Sequence, residues 1–84
     1  MSELQTAFQA AVNQSQQLSQ RPDNATLLHL YGLYKQGSAG DNKMPKPGFS
    51  DMVGRAKWDA WNKLQGMDAE QAMQQYIDAV SALE

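Results

Sequence analysis

Apolar residues return at spacings of three and four in four separate blocks, and no stretch alternates apolar with polar residues. A chain patterned in this way buries one stripe of each of several helices and has no half-buried strand to build a sheet. The first block runs from about Glu3 to Leu18, with Leu4, Ala7, Phe8, Ala11 and Val12 on the stripe. Ser2 can cap it with Gln5 as the capping-box partner, and Pro22 closes the segment. The second starts at Asp23 or Asn24, either a good N-cap, and carries Leu27, Leu28, Leu30, Tyr31, Leu33 and Tyr34. Gly37 and Gly40 blur its end. The third spans about Met52 to Gln65, capped by Ser50 or Asp51 and stopped by Gly66. The fourth begins at Asp68, with Gln71 as its box partner, and keeps a clean stripe from Ala69 through Ala72, Met73, Tyr76, Ile77 and Val80 to Leu83. Between the second and third blocks lies a loop rich in Gly and Pro, roughly Ser38 to Ser50. The expectation is an all-α fold, a small helical bundle forming one domain over residues 1–84.

With 84 residues and no cysteine, the core is modest and has neither disulfide nor thiolate-metal support. The polar, acidic start Met-Ser-Glu-Leu-Gln lacks the pattern of a signal peptide, and no apolar run approaches the roughly 20 residues of a membrane span. A cytoplasmic protein is expected, and nothing in the pattern demands more than a monomer. The net charge of −2 argues against nucleic acid as a partner. Its distribution is uneven: residues 1–34 carry −1, residues 35–63 carry +3 and residues 64–84 carry −4. Six of the seven cations thus fall in the middle third, which can present a focused field to an anion although the whole chain is acidic.

Enzyme chemistry finds little footing. His29 is the one histidine, so a zinc set is not available, and no nucleophile stands beside a base. The acidic residues are scattered singly, and no Gly-rich phosphate loop opens a helix. No metal, cofactor or catalytic residue is expected. Trp58 and Trp61, one turn apart, read chiefly as core anchors. Around the second helix, Leu28, Tyr31 and Lys35 form an edge row at steps of three and four, while Leu33 lies far round the other side. That apolar arc is wider than packing against one neighbour requires, so it can touch two helices, or a helix and a ligand. Tyrosine brings a ring for stacking and a hydroxyl donor for phosphate. Lysine brings a compact charge on an apolar stem. Spacing alone leaves open an anionic-ligand site at Tyr31, Tyr34, Lys35 and Lys57 and an ordinary solvated surface.

The segment Leu28 to Gln36, with Tyr31-Gly32-Leu33-Tyr34-Lys35-Gln36, is followed by Gly40-Asp41, Pro47-Gly48 and Ala56-Lys57-Trp58-Asp59-Ala60-Trp61-Asn62. Together with Ala72-Met73-Gln74-Gln75-Tyr76-Ile77, these resemble the acyl-CoA-binding protein family over nearly the whole chain. The resemblance implies an up-down-down-up four-helix bundle, in which the long loop is an overhand crossover between parallel second and third helices. It implies one-to-one binding of medium- to long-chain acyl-CoA esters by a carrier that shields them and delivers them to acyl-CoA-using enzymes. Under it, Tyr31, Tyr34, Lys35, Lys57 and Tyr76 hold the CoA head group, and Leu27, Leu28 and Met52 lie along the acyl chain.

Two positions depart from the family pattern. Gln16 and Val53 stand where relatives often carry lysines, with Arg55 close by as a partial replacement. More of the phosphate recognition should then rest on Lys35 and Lys57. The competing reading is a helical protein-interaction module that docks a partner through the Lys43–Lys63 face without any small ligand.

Overall fold

The computed structural model describes residues 2–83. Four helices are connected in series: α1 (Glu3–Ser15), α2 (Asn24–Ala39), α3 (Met52–Asn62) and α4 (Ala69–Ala82). No strand occurs among the described residues. The capping residues set the starts. Ser2 and Gln5 form the reciprocal capping box of α1. Asp23 accepts from Thr26 N at 2.8 Å, and Asp51 from Gly54 N at 2.9 Å.

Three expectations about helix limits are corrected. The pattern reaching Leu18 ends as helix at Ser15, where Gln16 N and Gln17 N donate to carbonyls three residues back and tighten the backbone out of α-geometry. The same happens after Asn62: Leu64 N and Gln65 N bond i−3 carbonyls until Gly66, at φ +86°, turns the chain into α4. At α4, Asp68 is the N-cap but its side chain makes no capping bond, so the box with Gln71 is not formed. Gly37, by contrast, does not end α2. It is buried inside it, where an added Cβ would lie 3.1 Å from Met73 Cγ and 3.3 Å from Phe8 Cζ.

Pairings between elements give their directions. Tyr31 meets Lys57, Gly32 meets Ala60, and Lys35 meets Trp61, so residue numbers rise together and α2 and α3 run parallel. Tyr34 faces Tyr76 while Gly37 faces Met73, so α2 and α4 run antiparallel. The bundle is therefore up-down-down-up, and the connection between α2 and α3 must return the full length of a helix. The buried core is Phe8, Ala11, Leu30, Leu33, Ala72, Met73, Tyr76 and Val80, centred on α1, α2 and α4. Leu33 has no exposed surface, because α2 packs on α3 and α4 at once.

Polar ties fasten the crossover. Trp58 Nε1 donates to Met44 O at 2.7 Å, and Trp61 Nε1 to Gly40 O at 2.8 Å. Gln36, fully buried, donates from Nε2 to Asp41 Oδ1 and to Met67 O, both at 2.9 Å. Asp41 Oδ1 also accepts from Gly66 N at 2.8 Å, so one carboxylate joins the end of α2 to the turn before α4. These bonds to Gly66 and Gln36 hold the Asp41 carboxyl below its usual range, and bonds to Thr26 do the same for Asp23.

Two outcomes follow from this packing. A Cβ at Gly32 would stand 2.6 Å from Ala60 O, a backbone atom that cannot swing aside. Gly32→Ala should cost about 1–3 kcal/mol in urea unfolding, as overpacked sites do. Depressed native carboxyl values mean that the unfolded chain binds more protons, so this stability is complete above the ordinary carboxylate range near about 4 and is lost as pH falls below it. Asp41→Asn should flatten that acid limb when unfolding is followed by circular dichroism between neutral and acid pH.

Candidate ligand-binding site

The parallel contact of α2 and α3 leaves a groove along one side, of about 430 Å³. Leu27, Leu28 and Tyr31 of α2 form one wall, and Met52, Val53, Ala56 and Lys57 of α3 form the other, with Arg21 and Asn24 at the end. Tyr31 is shared with two further concavities. One, of about 300 Å³, is walled by Val12, Ser15, Gln16, Leu27, Tyr34 and Tyr76, where α1 and α4 meet α2. The other, of about 400 Å³, lies under the crossover and includes Lys35, Met44, Pro47, Trp58 and Trp61. The Tyr31 ring therefore stands at a junction: aliphatic walls on one side, tyrosines on a second, a lysine with indoles on a third.

Both lysines are posed over rings. Lys57 Nζ lies 5.5 Å from the centroid of Tyr31, and Lys35 Nζ lies 4.9 Å from that of Trp61. Such contacts hold an ammonium beside an apolar surface while leaving its donors free for an anion. Among the described residues neither lysine makes an ion pair with a carboxylate, whereas Lys46 is engaged with Asp59 at 3.4 Å.

The sequence-derived set is thus brought together at one side of the bundle, with differences of role. Tyr31, Lys57, Leu27, Leu28 and Met52 share the main groove. Lys35 adjoins it through Tyr31, under the loop. Tyr34 and Tyr76 line the α1 side around Phe8: the Phe8 ring stacks on Tyr34 at 6.0 Å and meets Tyr76 edge to face at 5.3 Å, centroid to centroid. Tyr76 is buried, and its hydroxyl donates to Ser15 Oγ at 3.1 Å, so it acts here as a wall that fixes Tyr34. The two uncharged departures both line the site, Gln16 on the tyrosine side and Val53 in the groove. Arg55 is no replacement for them. Its guanidinium lies 4.8 Å from the Phe49 ring and donates to Pro47 O at 3.2 Å, turned to the loop.

Arg21, Ala56 and Trp61 belong to the site but were not singled out for it. Arg21 precedes Pro22 in an irregular connection, where no periodicity assigns a direction. Ala56 stands one turn before Ala60 on the α3 face that meets α2, a weak signal that was available. Trp61 reads as core and is core, and it also carries Lys35 on its ring.

Site and fold define a small four-helix bundle with adjoining apolar recesses, bordered by Lys35 and Lys57, along one side of α2. Comparison with known proteins names the class. The family profile described as "Acyl CoA binding protein" matches residues 5–80. An acyl-CoA-binding protein homolog of Drosophila melanogaster is 47% identical over 76 residues, which is 90% of this chain and 88% of that protein. Enoyl-CoA delta isomerase 2 of Rattus norvegicus is 49% identical over 79 residues, covering 94% of this chain but only 20% of the isomerase. The crystal structure of Oryza sativa acyl-CoA-binding protein 2 superposes with a TM-score of 0.91 at 38% identity, over 95% of this chain and 87% of that one. The chain belongs to the acyl-CoA-binding protein family. Membership carries acyl-CoA binding in the general sense.

Removing the Tyr76 hydroxyl tests its assignment as a wall. Ser15 keeps its own bond to Val12 O. Tyr76→Phe should therefore lose about 0.5–1.5 kcal/mol of thermal stability, the worth of one ordinary hydrogen bond.

Proposed function

We propose that residues 1–84 act as one domain that binds medium- to long-chain acyl-CoA esters one to one, in the cytoplasm, and hands them to enzymes that use them. The observation that carries this reading is the position of Tyr31, where an aliphatic groove meets two lysines that no carboxylate among the described residues pairs with. In this assignment Lys35 and Lys57 meet the 3′-phosphate of the CoA head group, and Tyr31 and Tyr34 offer ring faces and hydroxyls to it. Tyr76 holds Tyr34 in place at the same end. Leu27, Leu28 and Met52 flank the acyl chain. Charge-assisted bonds contribute about 1.5–3 kcal/mol each. Chain burial contributes about 0.8 kcal/mol per methylene, so twelve methylenes supply on the order of 10 kcal/mol before ordering costs. Address comes from the head group and most of the affinity from the chain.

The interaction-module reading uses the same cations without a ligand. It does not account for the lining of the groove, where Leu27, Leu28 and Ala56 lie in a recess between helices and away from any flat docking face.

Calorimetric titration with palmitoyl-CoA should give saturable one-to-one binding that weakens as the acyl chain is shortened. Lys57→Ala should weaken CoA and palmitoyl-CoA by the same factor, about tenfold to a hundredfold. Free palmitate binding as tightly as palmitoyl-CoA would overturn the head-group assignment.

A further inference from the structure

A second recess, of about 370 Å³, adjoins the α2–α3 groove but is not part of it. Leu28 and Ala56 line both spaces and so stand between them. Tyr31, Lys35 and Lys57 take no part in its lining. Its floor is aliphatic. Leu28 comes from α2, while Ala56, Ala60 and Leu64 recur at steps of four along α3 and the turn after it. All four are half-buried. The rim is polar and favours an anion. His29 brings a ring N–H donor, and Lys63 brings an ammonium. Asp59 is the one acid on the lining, and its carboxylate is engaged by Lys46 at 3.4 Å. Among the described residues Lys63 makes no ion pair of its own.

We propose that this recess is a second ligand site, which takes a small amphiphilic carboxylate. An aliphatic body of medium length covers Leu28, Ala60 and Leu64, and the carboxylate sits between His29 and Lys63. A space of this size, apolar in its floor and with a few convergent polar groups, is the usual form of a small-molecule site. The body displaces water from aliphatic side chains and supplies the affinity, while the two donors fix its direction. A neutral head would leave the Lys63 charge unanswered, and a cationic head would be repelled by it. A protein partner fits less well. Specific protein interfaces need about 800 Å² from each side, whereas this floor is four side chains set between two helices. The second site is independent of what fills the groove, so it does not rest on the acyl-CoA reading above.

Titration of the ligand-free protein with octanoate, followed by amide NMR, tests the site. Saturable one-to-one shifts are expected at His29, Ala60, Lys63 and Leu64, and octanol should bind about tenfold more weakly. Lys63→Glu should weaken octanoate about tenfold, while Lys63→Arg retains most of the binding and both variants keep their palmitoyl-CoA titration. Shifts centred instead on Met52, Val53 and Lys57 would put octanoate in the groove and overturn the proposal. So would octanol binding as tightly as octanoate, or an unchanged affinity in Lys63→Glu. A protein that titrates with palmitoyl-CoA and shows no octanoate shifts loses the second site alone. One that shows the shifts at the recess and does not titrate with palmitoyl-CoA keeps the second site and loses the acyl-CoA reading. If Lys63→Glu separates a dimer in sedimentation while octanoate is ignored, the recess is a contact between copies and the carboxylate assignment falls.

Discussion

The close approach of α2 to α3 at Gly32 is the constraint on which the site depends. Only a residue without a Cβ fits against Ala60 O, and that contact sets how near the two helices come. One residue to the N-terminal side, Tyr31 comes under Lys57; three residues beyond, Lys35 comes over Trp61. Both cation–ring pairs are thus consequences of one backbone contact and the shared direction of the helices. An antiparallel pair of the same length would bring Lys35 toward the opposite end of α3 and scatter the two charges.

Parallel neighbours need a long return, and a long loop costs order. Here the two tryptophans offset that cost. Their rings serve α3 and its partners, while their indole N–H groups hold the loop at Met44 O and Gly40 O. Lys46 over the Trp58 ring adds a third attachment on the same segment. Gln36 and Asp41 do the equivalent at the buried end, where the Gln36 carbonyl oxygen remains without a partner. The Gln36 Nε2 bonds two segments at once, the loop at Asp41 and the turn before α4 at Met67.

Periodicity made the four helices legible, together with most of the core, because stripes at steps of three and four are a direct record of burial. It failed at the ends for a physical reason. Leu18 and Leu64 continue the apolar period, but the α-helical backbone has already ended, through i→i−3 bonds at Gln16 and Gln17 before Leu18 and at Leu64 itself, a difference that side-chain spacing does not encode. The burial of Gln36 was also beyond its reach, since a glutamine on a helix reads as solvent-facing until its partners from other segments are known. Of the site, the edge row Leu28, Tyr31 and Lys35 could be read from helical geometry. The placement of Lys57 opposite it came from family resemblance, because nothing local specifies that α3 runs parallel to α2. The unusually wide apolar arc of α2 had a double explanation: Leu33 serves the helices, and Leu27 and Leu28 serve the groove.

The replacement of two family cations gains a consequence from the fold. Gln16 and Val53 lie at different parts of the cleft, one beside Tyr34 and Tyr76 and the other beside Lys57. Charge lost at these places is not restored by Arg55, whose guanidinium is committed to Phe49 and Pro47. In the proposed assignment the field at the head-group end arises chiefly from Lys35 and Lys57, with Arg21 a further cation on the groove wall. Coulombic attraction falls only as the inverse of distance where water is partly excluded, so the remaining pair must lie close to the anion to compensate. Their seats on Trp61 and Tyr31 provide that closeness, and both seats trace back to the register that Gly32 permits. Under the proposed assignment, affinity for a phosphate is therefore set by helix packing more than by the number of basic residues.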